Sequence, residues 1–120
     1  MKNHGKNNVI QNKSFKFALR IVKLSQYLNQ DKKEYVLSKQ ILRSGTAIGA
    51  LVRESEYAES RADFVHQLRI AIKEANETQY WLELLHQADY INKKGFKSIN
   101  QDCIEVIKIL IAIIKSTTKK

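Results

Sequence analysis

Apolar and polar residues alternate along this chain with the 3.6-residue period of amphipathic helices, and the pattern divides into four stretches. The first predicted helix spans about 10–28, starting at Val9 or Ser14. It sets Phe15, Ala18, Val22 and Ser25 at heptad spacing, with Phe17, Ile21, Leu24 and Leu28 beside them. The second spans about 34–57, with a seam of Leu37, Ile41, Ser44, Ile48, Leu51 and Ser55, flanked by Gly45, Gly49 and Val52. In the third, about 61–88, Phe64, Leu68, Ala71, Ala75, Thr78, Leu82 and Leu85 follow in strict four-three alternation, and Ile70, Trp81 and Leu84 form a second face. The fourth, about 98–115, carries two adjacent stripes, Cys103-Val106-Leu110-Ile113 and Ile104-Ile107-Ile111-Ile114, with Ile109 outside both.

Helix boundaries have their own signals. Asp31 with Glu34, and Ser60 with Asp63, have capping-box spacing for the second and third helices. Asn92-Lys93-Lys94-Gly95 reads as a turn whose glycine is suited to ending the third helix, and Ser98 with Gln101 can cap the fourth. Residues 1–8 and 116–120 read as basic, flexible ends. The chain has no proline and only four glycines, too few breakers for the turns of a sandwich or barrel. The expected fold is all-α: a single domain, 1–120, forming an up-down-up-down antiparallel four-helix bundle.

Two glycines inside the second helix need a reason, because each costs roughly 1 kcal/mol relative to alanine. Gly45 and Gly49 are four residues apart on one helical face, where another backbone can approach closely. They are therefore expected to be helix-packing positions. A phosphate-cradling loop would need a preceding strand and a terminal Gly-Lys-Ser/Thr, and neither is present.

At 120 residues the chain can bury a core, though a partner subunit would help. Helix 4 is apolar over nearly twice the width that one bundle seam buries. The expectation is a homo-oligomer in which Ile104, Ile107, Ile111 and Ile114, with Trp81, form the subunit interface. The formal charge is +9 and is segregated: residues 1–33 carry +7, 34–92 carry −3 and 93–120 carry +5. Lys13, Lys16, Arg20 and Lys23 recur at steps of three, four and three, which aligns four cations with no acidic residue interleaved. An ordinary solvated face has the same spacing, but the unbroken positive sign makes these four the expected nucleic-acid-binding residues.

Cys103 is the only cysteine, so an intrachain disulfide is excluded, and its place on an apolar stripe predicts an inert buried thiol. Met1 to Asn8 lack the apolar core of a secretory signal. The most apolar run, Val106 to Ile114, contains Lys108 and is about half of the roughly 20 residues a membrane span needs. A cytoplasmic protein without membrane association is expected.

Catalytic chemistry finds little support in the residue pattern. A carboxylate-bridged dimetal site in a bundle needs a Glu on each of two helices and Glu-x-x-His on the other two. Only Glu83 and His86 supply such a pair, and helix 1 has no carboxylate. Glu74 and Glu77, at i and i+3, could in principle share a proton or bind a metal, but are read as a solvated face or as partners for basic residues on a neighbouring helix such as Arg43 or Arg53. His4, His66 and His86 are scattered. Trp81 beside Tyr80 could stack on a base, but core or interface packing is the preferred reading of the pair. No enzyme activity, metal or cofactor is expected.

The run Gln40 to Ala50, then Glu54, Ser60-Arg61-Ala62-Asp63-Phe64, Ala71-Ile72-Lys73-Glu74-Ala75 and Glu77 to Leu85 resembles bacterial four-helix-bundle proteins related to those encoded in intervening sequences of 23S ribosomal RNA genes. The resemblance covers roughly residues 14–115. It implies a short bundle that assembles as a pentameric ring, in a family whose biochemical function is poorly established. A related branch, the accessory proteins of diversity-generating retroelements, is a basic pentamer that engages nucleic acid and a reverse transcriptase. The family commonly has Asn where this chain has Leu51. The functional expectation is a non-enzymatic, RNA- or DNA-associated accessory protein; the alternative is a protein-interaction scaffold with no nucleic-acid role.

Overall fold

The computed structural model describes residues 4–119 and contains four helices: α1 (His4–Gln30), α2 (Leu37–Ser55), α3 (Arg61–Gln87) and α4 (Lys93–Thr118). No strand occurs among the described residues. Each helix packs on the next, and α1 closes the ring by packing on α4. Opposed pairs run in reverse order along neighbouring helices, Gly45 against Ile21 and Gly49 against Ser14, Ala75 against Cys103 and Gln79 against Asn100. The bundle is therefore antiparallel, as the heptad spacing predicts.

The core runs the length of the bundle. Phe17, Ile21 and Leu28 of α1 meet Ile41, Ile48 and Val52 of α2; Phe64, Leu68, Leu82 and Leu85 of α3 and Cys103, Val106, Leu110 and Ile113 of α4 complete it. Ser44 and Thr78, both fully buried, satisfy one another across the α2–α3 seam: the Thr78 hydroxyl lies 2.8 Å from that of Ser44. Thr78 Oγ1 also lies 2.8 Å from the Glu74 carbonyl oxygen of its own helix, so a slip would cost the Ser44 hydroxyl its cross-helix partner, and the pair favours one register.

Helix 1 turns differently from the expected heptad. Phe15 is 53% exposed and Leu19 48%, whereas Ile10, Ser14, Phe17, Ile21, Ser25 and Leu28 are buried. Apolar residues surround most of this helix, so periodicity alone leaves its rotation open. The α2 glycines decide it. A Cβ on Gly45 would lie 2.7 and 2.8 Å from the Cγ1 and Cγ2 atoms of Ile21, while one on Gly49 would lie 3.4 Å from the Ser14 carbonyl oxygen. The α2 seam itself includes Gly45 and Val52, and Leu51 is half-buried beside it.

The helix ends depart from expectation in instructive ways. Asp31 caps nothing; the buried Glu34 carboxylate instead accepts the N–H groups of Val36, Leu37 and Ser38 at 3.1, 2.9 and 2.8 Å. It thus satisfies three of the donors that a helix start leaves unpaired and opposes the helix dipole. The α3 start is as predicted, with Ser60 Oγ accepting from Asp63 N at 3.0 Å; the Asp63 carboxylate reaches Glu59 N. Glycine does not end α3. Asp89 takes the left-handed position at φ 69°, and Tyr90 N donates to Leu85 O at 2.9 Å, a Schellman closure.

Gly95 lies inside the first turn of α4, where its N–H donates to the Asn92 side chain at 2.8 Å. α4 therefore begins before Ser98 and reaches Thr118. Neither Ser98 nor Gln101 is its cap. Of the ends expected to be flexible, residues 4–8 belong to α1 and 116–118 to α4, while 1–3 and 120 lie outside the described residues.

Cys103 is fully buried and its thiol donates to the Ala75 carbonyl at 3.4 Å. Burial, with the nearby Asp102 carboxylate adding to it, pushes the thiol pKa up to about 12. At pH 8 the folded protein should resist a thiol-reactive probe and react at once when unfolded in urea, because the thiolate is the nucleophile. A native rate within about tenfold of the unfolded rate would contradict this burial. The glycines give a second expectation. Gly45→Ala gains about 1 kcal/mol of helix propensity but overpacks Ile21 at a cost of roughly 1–3 kcal/mol, so it should lower the urea midpoint; Gly49→Ala, meeting only ordinary contact, should raise it. Equal shifts of the same sign would remove the special role of Gly45.

Candidate nucleic-acid interface

The expected stripe of four cations divides in two once α1 is docked. Lys13 and Arg20, seven residues apart, turn toward α4. Lys13 Nζ lies 3.0 Å from Glu105, and Arg20 spreads its guanidinium between Asp102 at 2.8 Å and Ser98 at 3.1 Å. The carboxylates absent from α1 are thus supplied by α4, some 80 to 90 residues along the chain, and the stripe is not uniformly free as its spacing implied. All four charged groups are 40–49% exposed, so each pair is worth roughly 0.2–1 kcal/mol, and its main effect is to orient the side chains.

Lys16 and Lys23 turn outward. Both are exposed, and among the described residues neither has a carboxylate within 4.0 Å. A second basic row, missed from the sequence, lies across the seam. Lys94, Lys108 and Lys115 of α4 are exposed and fall at multiples of seven residues, hence on nearly one line along the helix. Lys97 is exposed near the same line. The signal is the lysine spacing of 14 and 7 residues from Lys94 to Lys108 and Lys115, which the apolar stripes of the same helix overshadow. The α1–α4 face therefore presents two rows of free lysines flanking a seam whose four charges neutralise one another.

Toward its α4 N-terminal end this seam opens into a groove of about 420 Å³. Leu24, Tyr27, Ile91 and Ile99 line it together with Arg20, Lys23, Asn92 and Gly95. A second groove, about 380 Å³, lies between α1 and α2 beside Phe15, with Arg53 and Glu54 both at its edge. The Arg53 guanidinium lies 5.9 Å from the Phe15 ring centroid.

The residues expected at the subunit interface are distributed unevenly. Ile114 is 6% exposed and belongs to the chain's own core, which corrects its assignment to an outward stripe. Ile104 and Ile107 are half-buried, and Ile111 is 40% exposed. Trp81 is half-buried; its indole N–H donates to Glu77 at 3.0 Å and its ring meets Tyr80 edge-on at 5.0 Å between centroids. Arg43 bridges both Glu74 and Glu77, one of the two arginine partners that the spacing allows, and together with the Trp81 N–H it holds the Glu77 carboxyl below the usual glutamate range. His86 stacks on Phe96 and bonds to the Ile91 carbonyl at 3.1 Å. Among the described residues no three His, Cys, Asp or Glu side chains converge as metal ligands, and no helix is long and apolar enough to cross a membrane.

The chain matches a family model described as 23S rRNA-intervening sequence protein over residues 6–112. It is also similar to a solved Bacteroides thetaiotaomicron protein of unknown function from the S23 ribosomal protein family. That likeness has 58% identity and a TM-score of 0.91, and it covers 92% of this chain and 98% of the other. No curated protein is significantly similar to the chain.

Proposed function

The chain belongs to the 23S rRNA-intervening sequence protein family, and from that premise we propose that it is a non-enzymatic, homo-oligomeric bundle that associates with RNA or DNA through its α1–α4 face. One observation carries this reading. Lys16 and Lys23 on one side, and Lys94, Lys108 and Lys115 on the other, flank a seam whose carboxylates are already engaged by Lys13 and Arg20. The face keeps its positive excess where a polyanion would lie, and its acidic groups are committed to the seam pairs.

The rows are also long enough to matter. From Lys94 to Lys115 is about 32 Å along a helix rising 1.5 Å per residue, a length over which several phosphates can be neutralised together. In this reading the lysines are free to release counterions while Lys13 and Arg20 hold α1 against α4. The partly exposed Ile111, with Ile104 and Ile107, supplies the contact between subunits, and the pentameric ring implied by the family resemblance would repeat the basic face around an axis.

Measuring affinity for an RNA and a DNA duplex as salt is raised tests the proposal. Log affinity should fall linearly with log salt. The DNA slope should lessen by about 0.9 for each phosphate that Lys16→Glu/Lys23→Glu or Lys108→Glu/Lys115→Glu leaves without its cation. An unchanged slope in both variants, or no binding at low salt, favours a scaffold with no nucleic-acid role. The mass in solution should be a multiple of the protomer; a monomer at micromolar concentration would contradict the oligomer.

A further inference from the structure

We infer that the groove at the end of the α1–α4 seam is a seat for one unpaired base, so that the nucleic acid preferred by this face is single-stranded. This rests on the nucleic-acid reading above and narrows it. Three observations converge. Tyr27, 39% exposed, lies four residues beyond Lys23 and eleven beyond Lys16, which puts the ring in line with the outward lysine row of α1. A strand whose backbone follows Lys16 and Lys23 is delivered onto an aromatic wall about 6 Å further along the helix.

The groove beside that ring is lined by Leu24, Ile91 and Ile99 together with Arg20, Lys23, Asn92 and Gly95. Its volume of about 420 Å³ is within the roughly 300–1,000 Å³ range of small-ligand sites. The cations can hold a backbone phosphate, while the apolar side chains and the Tyr27 ring offer a surface on which a flat base, unlike a phosphate, buries its faces. Stacking on tyrosine needs only a π-face and accepts any base. A base paired within a duplex is turned inward and reaches such a seat only after flipping out of its stack. The α1–α2 groove beside Phe15 is different: Glu54 stands at its edge with Arg53, and no lysine lines it.

The full-length protein should be titrated with single-stranded RNA and DNA oligonucleotides carrying 2-aminopurine, and with a duplex of equal length. The native protein should bind the single strands more tightly than the duplex and change the 2-aminopurine fluorescence. Tyr27→Ala should weaken single-strand binding at least about fivefold, the lower end of the loss of one base–aromatic stack, and abolish the fluorescence change. Duplex affinity and its salt slope should be unaffected, Tyr27→Phe should retain single-strand binding, and Phe15→Ala should alter nothing. If Tyr27→Ala leaves single-strand affinity and fluorescence intact while the lysine variants still reduce the salt slope, the base seat is overturned and the nucleic-acid reading stands. If the native protein binds none of these probes at low salt, both fall.

Discussion

Ile21 of α1 rests where Gly45 of α2 has no side chain, with the branched carbons of Ile21 closer to the missing Cβ position than two carbon atoms can come. Because one residue of helix is about 100° of rotation, that contact goes with one direction for each described side chain of α1 from Val9 onward. It buries Phe17 and Leu28, turns Phe15 and Leu19 to solvent, aims Lys13 and Arg20 at α4, and leaves Lys16 and Lys23 outside. The backbone approach at Gly49 and Ser14, one turn away, holds the same rotation. The packing geometry of α2 therefore decides which cations of α1 are spent within the chain and which remain available.

That dependence explains what is legible in the sequence. The four helices, their antiparallel order, the Ser60 cap and the close-packing role of Gly45 and Gly49 follow from local spacing, and local spacing can be read directly. The rotation of α1 cannot, because its apolar residues cover too much of the helix for periodicity to select one face. The α4 start is obscured by a rule that usually holds. Gly95 looks like a helix terminator, but Asp89 accepts the left-handed conformation in its place and Asn92 caps the next helix before Gly95. Glu34 has the spacing of the second member of a capping box, yet it is the capping group itself, reaching three N–H donors from outside the helix.

The candidate interface is legible only in part. A stripe of four cations without interleaved acids is a true statement about α1, but charge balance is settled in space, and Asp102 and Glu105 arrive from the opposite end of the chain. What they remove from the stripe is returned by the lysine row of α4, whose spacing is visible but overshadowed by its isoleucines. The two helices that carry the excess positive charge of the chain ends are the two that close the bundle on one another. Their like charges would repel across an unneutralised seam, and the Lys13–Glu105 and Arg20–Asp102 pairs relieve that repulsion while the outer rows keep the field positive.

The proposed function requires nucleic acid to lie along the lysine rows that flank the α1–α4 seam. Acetylating exposed lysines with and without a saturating oligonucleotide, and mapping the modified positions by mass spectrometry, tests it directly. Lys16, Lys23, Lys94, Lys108 and Lys115 should be protected, while Lys39 on α2 and Lys73 on α3, exposed elsewhere on the bundle, should stay reactive. Protection of Lys39 and Lys73 with the α1 and α4 rows unprotected, or equal protection of every lysine, would contradict it.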